Sequence, residues 1–443
     1  MGWVKIKLSD VIKNREGRYK PNDPAIKGLK RIDKINFLGQ IFLSDKNSNT
    51  DMILIKKGDL VISGINVEKG ALAIYEGEEN ILATIHYSSY IFDKTKVDID
   101  FLKIFLRSPD FIQLLKEQVP GGIKTEIKPK HILSLEVYFP ETTREQKAIA
   151  QLFFEREAKL ILLNKDLSHQ LTLLENLNQA ILQEAVQGKL VAQDPKDEPA
   201  SELLKRIKAE KATLRQAQGK GKKEKPLPPI KPEEIPFEIP SNWVWCRLGE
   251  IIEYTDNLDI QKHLSPDTII NYVDIDAIDN HNFVIREAKQ KTVRELSTRA
   301  RRVLKPNFIA YSTVRPYLKN IAVIEDDLEN YIGSTGFNVF KTLNVELKYA
   351  FYYLLTPYVN NSFKDLMVGF NSPSITNDQF EKSLFPLPPL SEQKRIVAEI
   401  EKQLAKTKQL KEHIIANQQA TEQLLKALLH QAFEVEEMEE VNS

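Results

Sequence analysis

Between Arg286 and Arg302 the chain carries seven basic side chains and two acidic ones, with Arg299, Arg301 and Arg302 beside Ser297 and Thr298. Guanidinium groups clustered near hydroxyls suit phosphate neutralisation, and arginine can also fork onto guanine. Further on, "YSTVRPYLKN" presents Arg315, Tyr317 and Lys319 after a β-rich run. The related N-terminal stretch "ISGINVEKG" holds Ser63 and Lys69 but no arginine, and "KNREGRYKPN" supplies Arg15, Arg18 and Lys20 instead. Two polar loops, "GGIKTEIK" and "GFNSPSIT", add Lys124, Thr125, Asn371 and Ser374. Tyr87, Tyr90, Tyr352 and Tyr353 have periodic apolar neighbours, which assigns them to cores rather than to base stacking.

Catalytic chemistry finds no comparable support. No glycine-rich nucleotide fingerprint opens a helix, no Walker loop occurs, and no Asn or Asp precedes two prolines and an aromatic, as an adenine methyltransferase needs. The 7 histidines include no metal-ligand pair of helical spacing. Pro109, Asp110, Glu126 and Lys128 match the loose pattern of Mg²⁺-dependent nucleases. "SPDFIQLLKEQ" reads better as Ser108 capping a helix with Pro109 at its first position.

Composition sets the outer limits. With 443 residues, 42% of them hydrophobic, the chain can fold as two or more domains with cores of their own. The single cysteine, Cys246, excludes an intrachain disulfide and a zinc site of paired cysteines, which suits a reducing cytoplasm. The N-terminus lacks the sections of a signal peptide, and no apolar run approaches the ~20 residues that span a bilayer; a cytoplasmic protein without membrane contact is expected. The net charge of +0 argues against a uniformly basic coat. Residues 1–140 hold 22 Lys and Arg against 18 Asp and Glu, a balance of +4, while the tail "EVEEMEE" is acidic. Nucleic-acid contact must therefore be local.

The elements that would position these residues come from an internal repeat. A shift of 247 places Glu145, Gln146, Lys147 and Ile149 on Glu392, Gln393, Lys394 and Ile396, and "ENLNQAILQEAV" on "EQLLKALLHQAF". A shift near 240 sets "GWVKIKLSDVI" against "NWVWCRLGEII". Each copy reads as short β-rich runs alternating with helices, then a long helix: an α+β domain and a spacer. The expected boundaries are a first globular domain over 1–140, a long helix over 141–188, a linker with a short helix over 189–240, a second globular domain over 241–388, a second long helix over 389–435, and the acidic tail over 436–443.

Both helices begin sharply, Thr142 with Glu145 forming a capping box and Ser391 an N-cap before Glu392. Apolar steps of three and four predict a coiled-coil seam through Leu160, Leu163, Leu167, Gln170, Leu174 and Leu177, and through Leu410, Ile414, Asn417, Leu424 and Leu428. Gln170 and Asn417 would form a polar layer. The connection through 189–240 makes an antiparallel pair the expected arrangement, with the two globular domains at opposite ends and pseudo-two-fold symmetry. Such symmetry suits a reader of two separated half-sites.

The order of a variable domain, "FPLPPLSEQKRIV" with its long helix, and a partly matching first copy resembles the specificity subunit of type I restriction and modification enzymes. "LVAQDPKDEPASELLKRIKAEK" and "IPFEIPSNWVWCRLGEI" look like that family's central region, and "YSTVRPYLKN" resembles a recurrent stretch of its recognition domains. The first copy departs from the pattern, with "FPETTREQ" where the family usually has a proline-rich turn. The resemblance implies a non-catalytic subunit, binding no cofactor itself, whose two recognition domains each read half of a bipartite double-stranded DNA target. It implies two modification subunits that methylate adenine with S-adenosylmethionine, and restriction subunits that use ATP and Mg²⁺. A free-standing two-headed DNA-binding regulator is the competing reading. The long apolar helices favour the subunit, because they exceed what one DNA-bound chain needs and suit partner helices completing a bundle.

Overall fold

The computed structural model describes residues 2–36, 39–46, 48–65, 71–118, 127–217, 226–325 and 329–433. Lys69, Lys124, Thr125, Glu126 and the acidic tail lie outside them. The chain divides into two compact units, Met1–His169 with Ile414–Ser443, and Gln170–His413, so that each long helix contributes to both.

The described residues of unit 1 form small sheets and short helices. β1 (Trp3–Lys7) pairs antiparallel with β10 (Glu136–Pro140). A four-stranded sheet runs in the order β2 (Ile12–Asn14), β9 (Tyr87–Phe92), β6 (Leu60–Ser63), β7 (Leu72–Ile74). A second has the order β4 (Ile41–Ser44), β3 (Arg31–Ile35), β8 (Ile81–Thr84), β5 (Met52–Ile55), with β3 and β8 parallel. α1 (Ile99–Arg107) starts where Asp98 accepts from the Asp100 and Phe101 amides, and α2 (Pro109–Gln118) where Ser108 Oγ accepts from Phe111 at 3.2 Å. Ser108 and Pro109 thus belong to a helix start. α3 (Pro129–Leu133) precedes β10. Phe101, Phe105, Phe111 and Phe139 form an edge-on aromatic core that Phe433, just past the second long helix, completes.

Unit 2 repeats this plan. α4 (Thr143–Val186) leads to α5 (Ala200–Ala217), and β11 (Val244–Arg247) pairs with β22 (Leu384–Leu387) around α6 (Leu248–Ile251). One sheet has the order β12 (Ile252–Tyr254), β21 (Phe337–Thr342), β18 (Phe308–Ser312), β19 (Ile321–Ile324). The other has the order β16 (Lys289–Thr292), β13 (Ile269–Val273), β20 (Tyr331–Ser334), β17 (Ala300–Val303), with β13 and β20 again parallel. α7 (Ile260–His263) and the hairpin β14 (Ile278–Asp279) with β15 (Val284–Ile285) are further elements, and α8 (Leu347–Leu354), α9 (Pro357–Leu366) and α10 (Asn377–Lys382) lead into α11 (Leu390–Gln431). Equal sheet orders in the two units show that the repeat is one of topology, not only of helix endings.

Residues 187–217 and 226–240 are packed rather than free. Leu203, Leu204 and Ile207 of α5 join the unit 2 core. The Arg247 guanidinium donates to the Pro228, Pro229 and Lys382 carbonyls and to Glu234. α4 ends in a Schellman turn, with Lys189 bonded back to Glu184 at 2.9 Å and Gly188 at φ +70°. A Cβ at Gly188 would clash with the Pro240 ring.

The long helices pair antiparallel within each unit. In unit 2, Gln193, just beyond α4, donates to Glu392 at the start of α11, and Thr407 meets Asn178. In unit 1, Gln418 donates to Ser168 at 3.0 Å. The seam differs in phase from the expected one. Leu160, Leu167, Leu174, Ile414 and Leu428 face inward, but Leu163, Gln170, Leu177, Leu410, Asn417 and Leu424 are exposed. Asn164, Leu171, Asn178, Gln418 and Leu425 stand at the alternating positions instead. Heptads sharing Leu160, Leu167 and Leu174 can be completed three or four residues on, and leucines occupy both choices. Between the helices Asn178 meets Thr407 in a partly buried contact, and exposed Ser168 accepts from Gln418 at the edge. The capping box of Thr142 and Glu145 is present. Ser391 instead lies inside the first turn of α11 and donates to Asp197 at 2.5 Å.

Candidate nucleic-acid interface

Four segments of unit 2 converge at one edge. The Thr313 N–H and hydroxyl both donate to the Gly336 carbonyl at 2.9 Å, fixing the end of β18 to the β20–β21 turn. Thr335 of that turn donates to the Arg299 carbonyl at 2.7 Å. On the other side Ile375 donates to the Thr313 carbonyl at 3.0 Å, and Arg315 to the Pro373 carbonyl at 2.8 Å. Arg299, the turn 313–319 and the loop 367–375 therefore form one hydrogen-bonded surface.

Arg315 and Lys319 flank the turn Pro316–Leu318 at φ +49° and +55°, in the left-handed region that costs side-chain-bearing residues energy and concentrates at ligand clamps. The Arg315 Nη2 donates to the Asn371 carbonyl at 2.9 Å, binding the turn to the loop. Lys319 is half-buried, and burial pulls its ammonium pKa below the usual lysine value. Tyr317 and Asn371 are exposed, whereas Ser374 is partly buried and bridges Val314 and Val368 through its backbone.

The arginine cluster separates. Arg299 is exposed. Arg301 donates to the Thr298 carbonyl at 2.9 Å and lies 3.4 Å from Asp259. Arg302 is half-buried with its Nε unpartnered among the described residues, and burial lowers its pKa. A bulge between Ala300 and Arg302 in β17 distributes the side chains this way, which linear spacing could not show.

Unit 1 uses the same backbone scaffold. Gly64 donates to the His86 carbonyl and Ile127 to the Gly64 carbonyl, each at 2.8 Å, as Thr313 does to Gly336 and Ile375 to Thr313. Ser63, at the end of β6, is buried. Arg15 forks onto the buried Asp59 at 2.5 and 2.6 Å, and Asp59 also accepts from Ser89 and the Lys56 amide. Arg15 thus balances an internal carboxylate. Arg18 is exposed, and Lys20 pairs with Asp51 at 3.1 Å on the surface.

Two features escaped the sequence reading. Gln146 and Gln393 are buried clamps: each accepts from a backbone amide at 2.8 Å, of Asp98 or Glu346, and donates to Pro140 or Pro388. Their equivalence in the repeat was the available signal. Phe370, at the tip of a polar loop, is fully exposed (101%). Its apolar identity amid Gly369, Asn371 and Ser372 was a signal without a context. No group of three or more His, Cys, Asp or Glu placed to hold a metal occurs among the described residues.

Residues 240–417 match the family model described as "Type I restriction modification DNA specificity domain". The chain is similar to the type I restriction enzyme EcoAI specificity subunit of Escherichia coli, with 36% identity over 60% of this chain and 46% of that subunit. It is likewise similar to the EcoEI specificity subunit of Escherichia coli, with 33% identity over 58% and 43% of the two lengths. The matches thus span less than half of either relative. The fold is that of the HsdS subunit from Thermoanaerobacter tengcongensis, with a TM-score of 0.56 and 17% identity over 98% of this chain and 96% of that one. Over residues 240–417 the chain is thus similar to a type I restriction modification DNA specificity domain.

Proposed function

We propose that this chain is the non-catalytic subunit that selects DNA for a type I restriction-modification complex, each globular domain reading one half of a bipartite duplex sequence. The observation that carries the reading is the hydrogen-bonded edge holding Arg299, Arg315, Lys319 and Asn371 together, on a backbone scaffold that recurs in unit 1. Domain bounds of 1–140 and 241–388 suit the two readers, and the paired helices suit a device that sets the number of unread bases. Leu163, Leu177, Leu410 and Leu424, exposed on those helices, supply apolar surface on which modification subunits can complete a bundle. Those partners would bring S-adenosylmethionine, and restriction subunits ATP and Mg²⁺. The test is to exchange residues 241–386 for the same domain of a relative and map adenine methylation in cells that also express a modification subunit. One half of the target should change and the other persist; a change in both halves would refute independent readers.

A further inference from the structure

We propose that Phe370 is an apolar wedge that enters the base stack of duplex DNA beside the half-site read by unit 2; the proposal rests on the DNA-reading function above. Phe370 is fully exposed, and Val368 is 69% exposed. The loop that displays them is closed at its base, where Val368 and Ser374 exchange backbone hydrogen bonds at 3.0 Å in both directions. Gly369 makes the turn at φ +109°, where a Cβ would meet the Ser372 carbonyl oxygen at 3.3 Å. Arg315 ties the loop to the basic turn through the carbonyls of both Asn371 and Pro373. An aromatic ring is therefore held outward on an anchored hairpin-like loop.

Charge decides which partner fits. Residues 312–324 and 367–377 contain Arg315 and Lys319 and no Asp or Glu. A projecting apolar side chain flanked by cations and small polar groups matches duplex DNA, where phosphates meet the cations and the ring slips between bases. Such wedges partly unstack one step and kink the duplex, most cheaply at flexible pyrimidine–purine steps.

The experiment enriches binders from a randomised duplex pool with the full chain and with Phe370→Ala, whose changed side chain touches no core. The wild type should enrich two half-sites with a pyrimidine–purine step at one flank of the second, and 2-aminopurine placed at that step should brighten on binding. Phe370→Ala should keep the half-site bases, bind roughly tenfold or more weakly, and leave the probe dark. Phe370→Leu should restore part of both signals. Enrichment of half-sites with equal affinity and equal probe signal for both proteins would overturn the wedge while leaving the DNA-reading function standing. Failure of the wild type to enrich any sequence would overturn both. Loss of modification-subunit co-purification in Phe370→Ala, with DNA binding and probe signal intact, would assign the loop to a protein partner and overturn the proposal.

Discussion

Thr407 of α11 donates its hydroxyl hydrogen to the Asn178 side-chain oxygen of α4 at 2.7 Å, across 229 residues of sequence. Thr407 is buried, and its hydroxyl also lies within hydrogen-bond distance of the Leu404 carbonyl of its own helix, at 3.0 Å. Asn178→Ala should therefore destabilise the chain by about 1–2 kcal/mol. Joint replacement by Asn178→Leu and Thr407→Val should be neutral or stabilising, because no polar atom is then stranded, at some loss of helix register. Urea unfolding of the single and double variants checks this; a single variant as stable as wild type would refute it.

The glutamine clamps should be equally costly to remove in the two units. Gln393→Leu strands the Glu346 amide and the Pro388 carbonyl, and Gln146→Leu strands the Asp98 amide and the Pro140 carbonyl. With ~1–3 kcal/mol for each stranded group, a loss of about 2–6 kcal/mol is expected from either change. Hydrogen exchange at Asp98 and Glu346 supplies a local readout: each amide should lose protection only in its own variant.

Arg299 and Arg15 should behave oppositely. If exposed Arg299 meets a phosphate, as the proposed function requires, Arg299→Ala should lower the slope of log affinity against log salt by about 0.9 without altering stability. Arg15→Ala leaves Asp59 as a buried uncompensated carboxylate, so stability should fall by about 3 kcal/mol while the salt slope stays unchanged. Salt titration of DNA binding beside thermal melting distinguishes the two.

Acid should weaken the link between Asp197 and α11. Arg395, with Ser391, holds the Asp197 carboxyl below the usual aspartate range. A lowered folded-state pKa stabilises above the unfolded value of about 3.9, and the benefit is lost as pH falls through the folded value. The melting-temperature gap between wild type and Asp197→Asn should hold constant above about pH 5 and narrow below about pH 4. A gap that widened on acidification would contradict the assignment.

The sequence by itself determined the duplication, the start of the first long helix and the α+β character of each copy, because these depend on local periodicity, proline placement and capping chemistry. It also brought Arg315 and Asn371 forward as candidates. The helix phase was beyond it, since leucines at adjacent heptad positions leave two seams of similar apolarity and only the facing helix selects between them. Arg15 likewise looked like Arg18 in the chain, and the buried Asp59, distant in sequence, turned it inward. The meeting of Arg299, Arg315 and the Phe370 loop was decided by hydrogen bonds from β18 to the β20–β21 turn and to Ile375. Such contacts join segments that share no local pattern, so only the tertiary structure could assemble them.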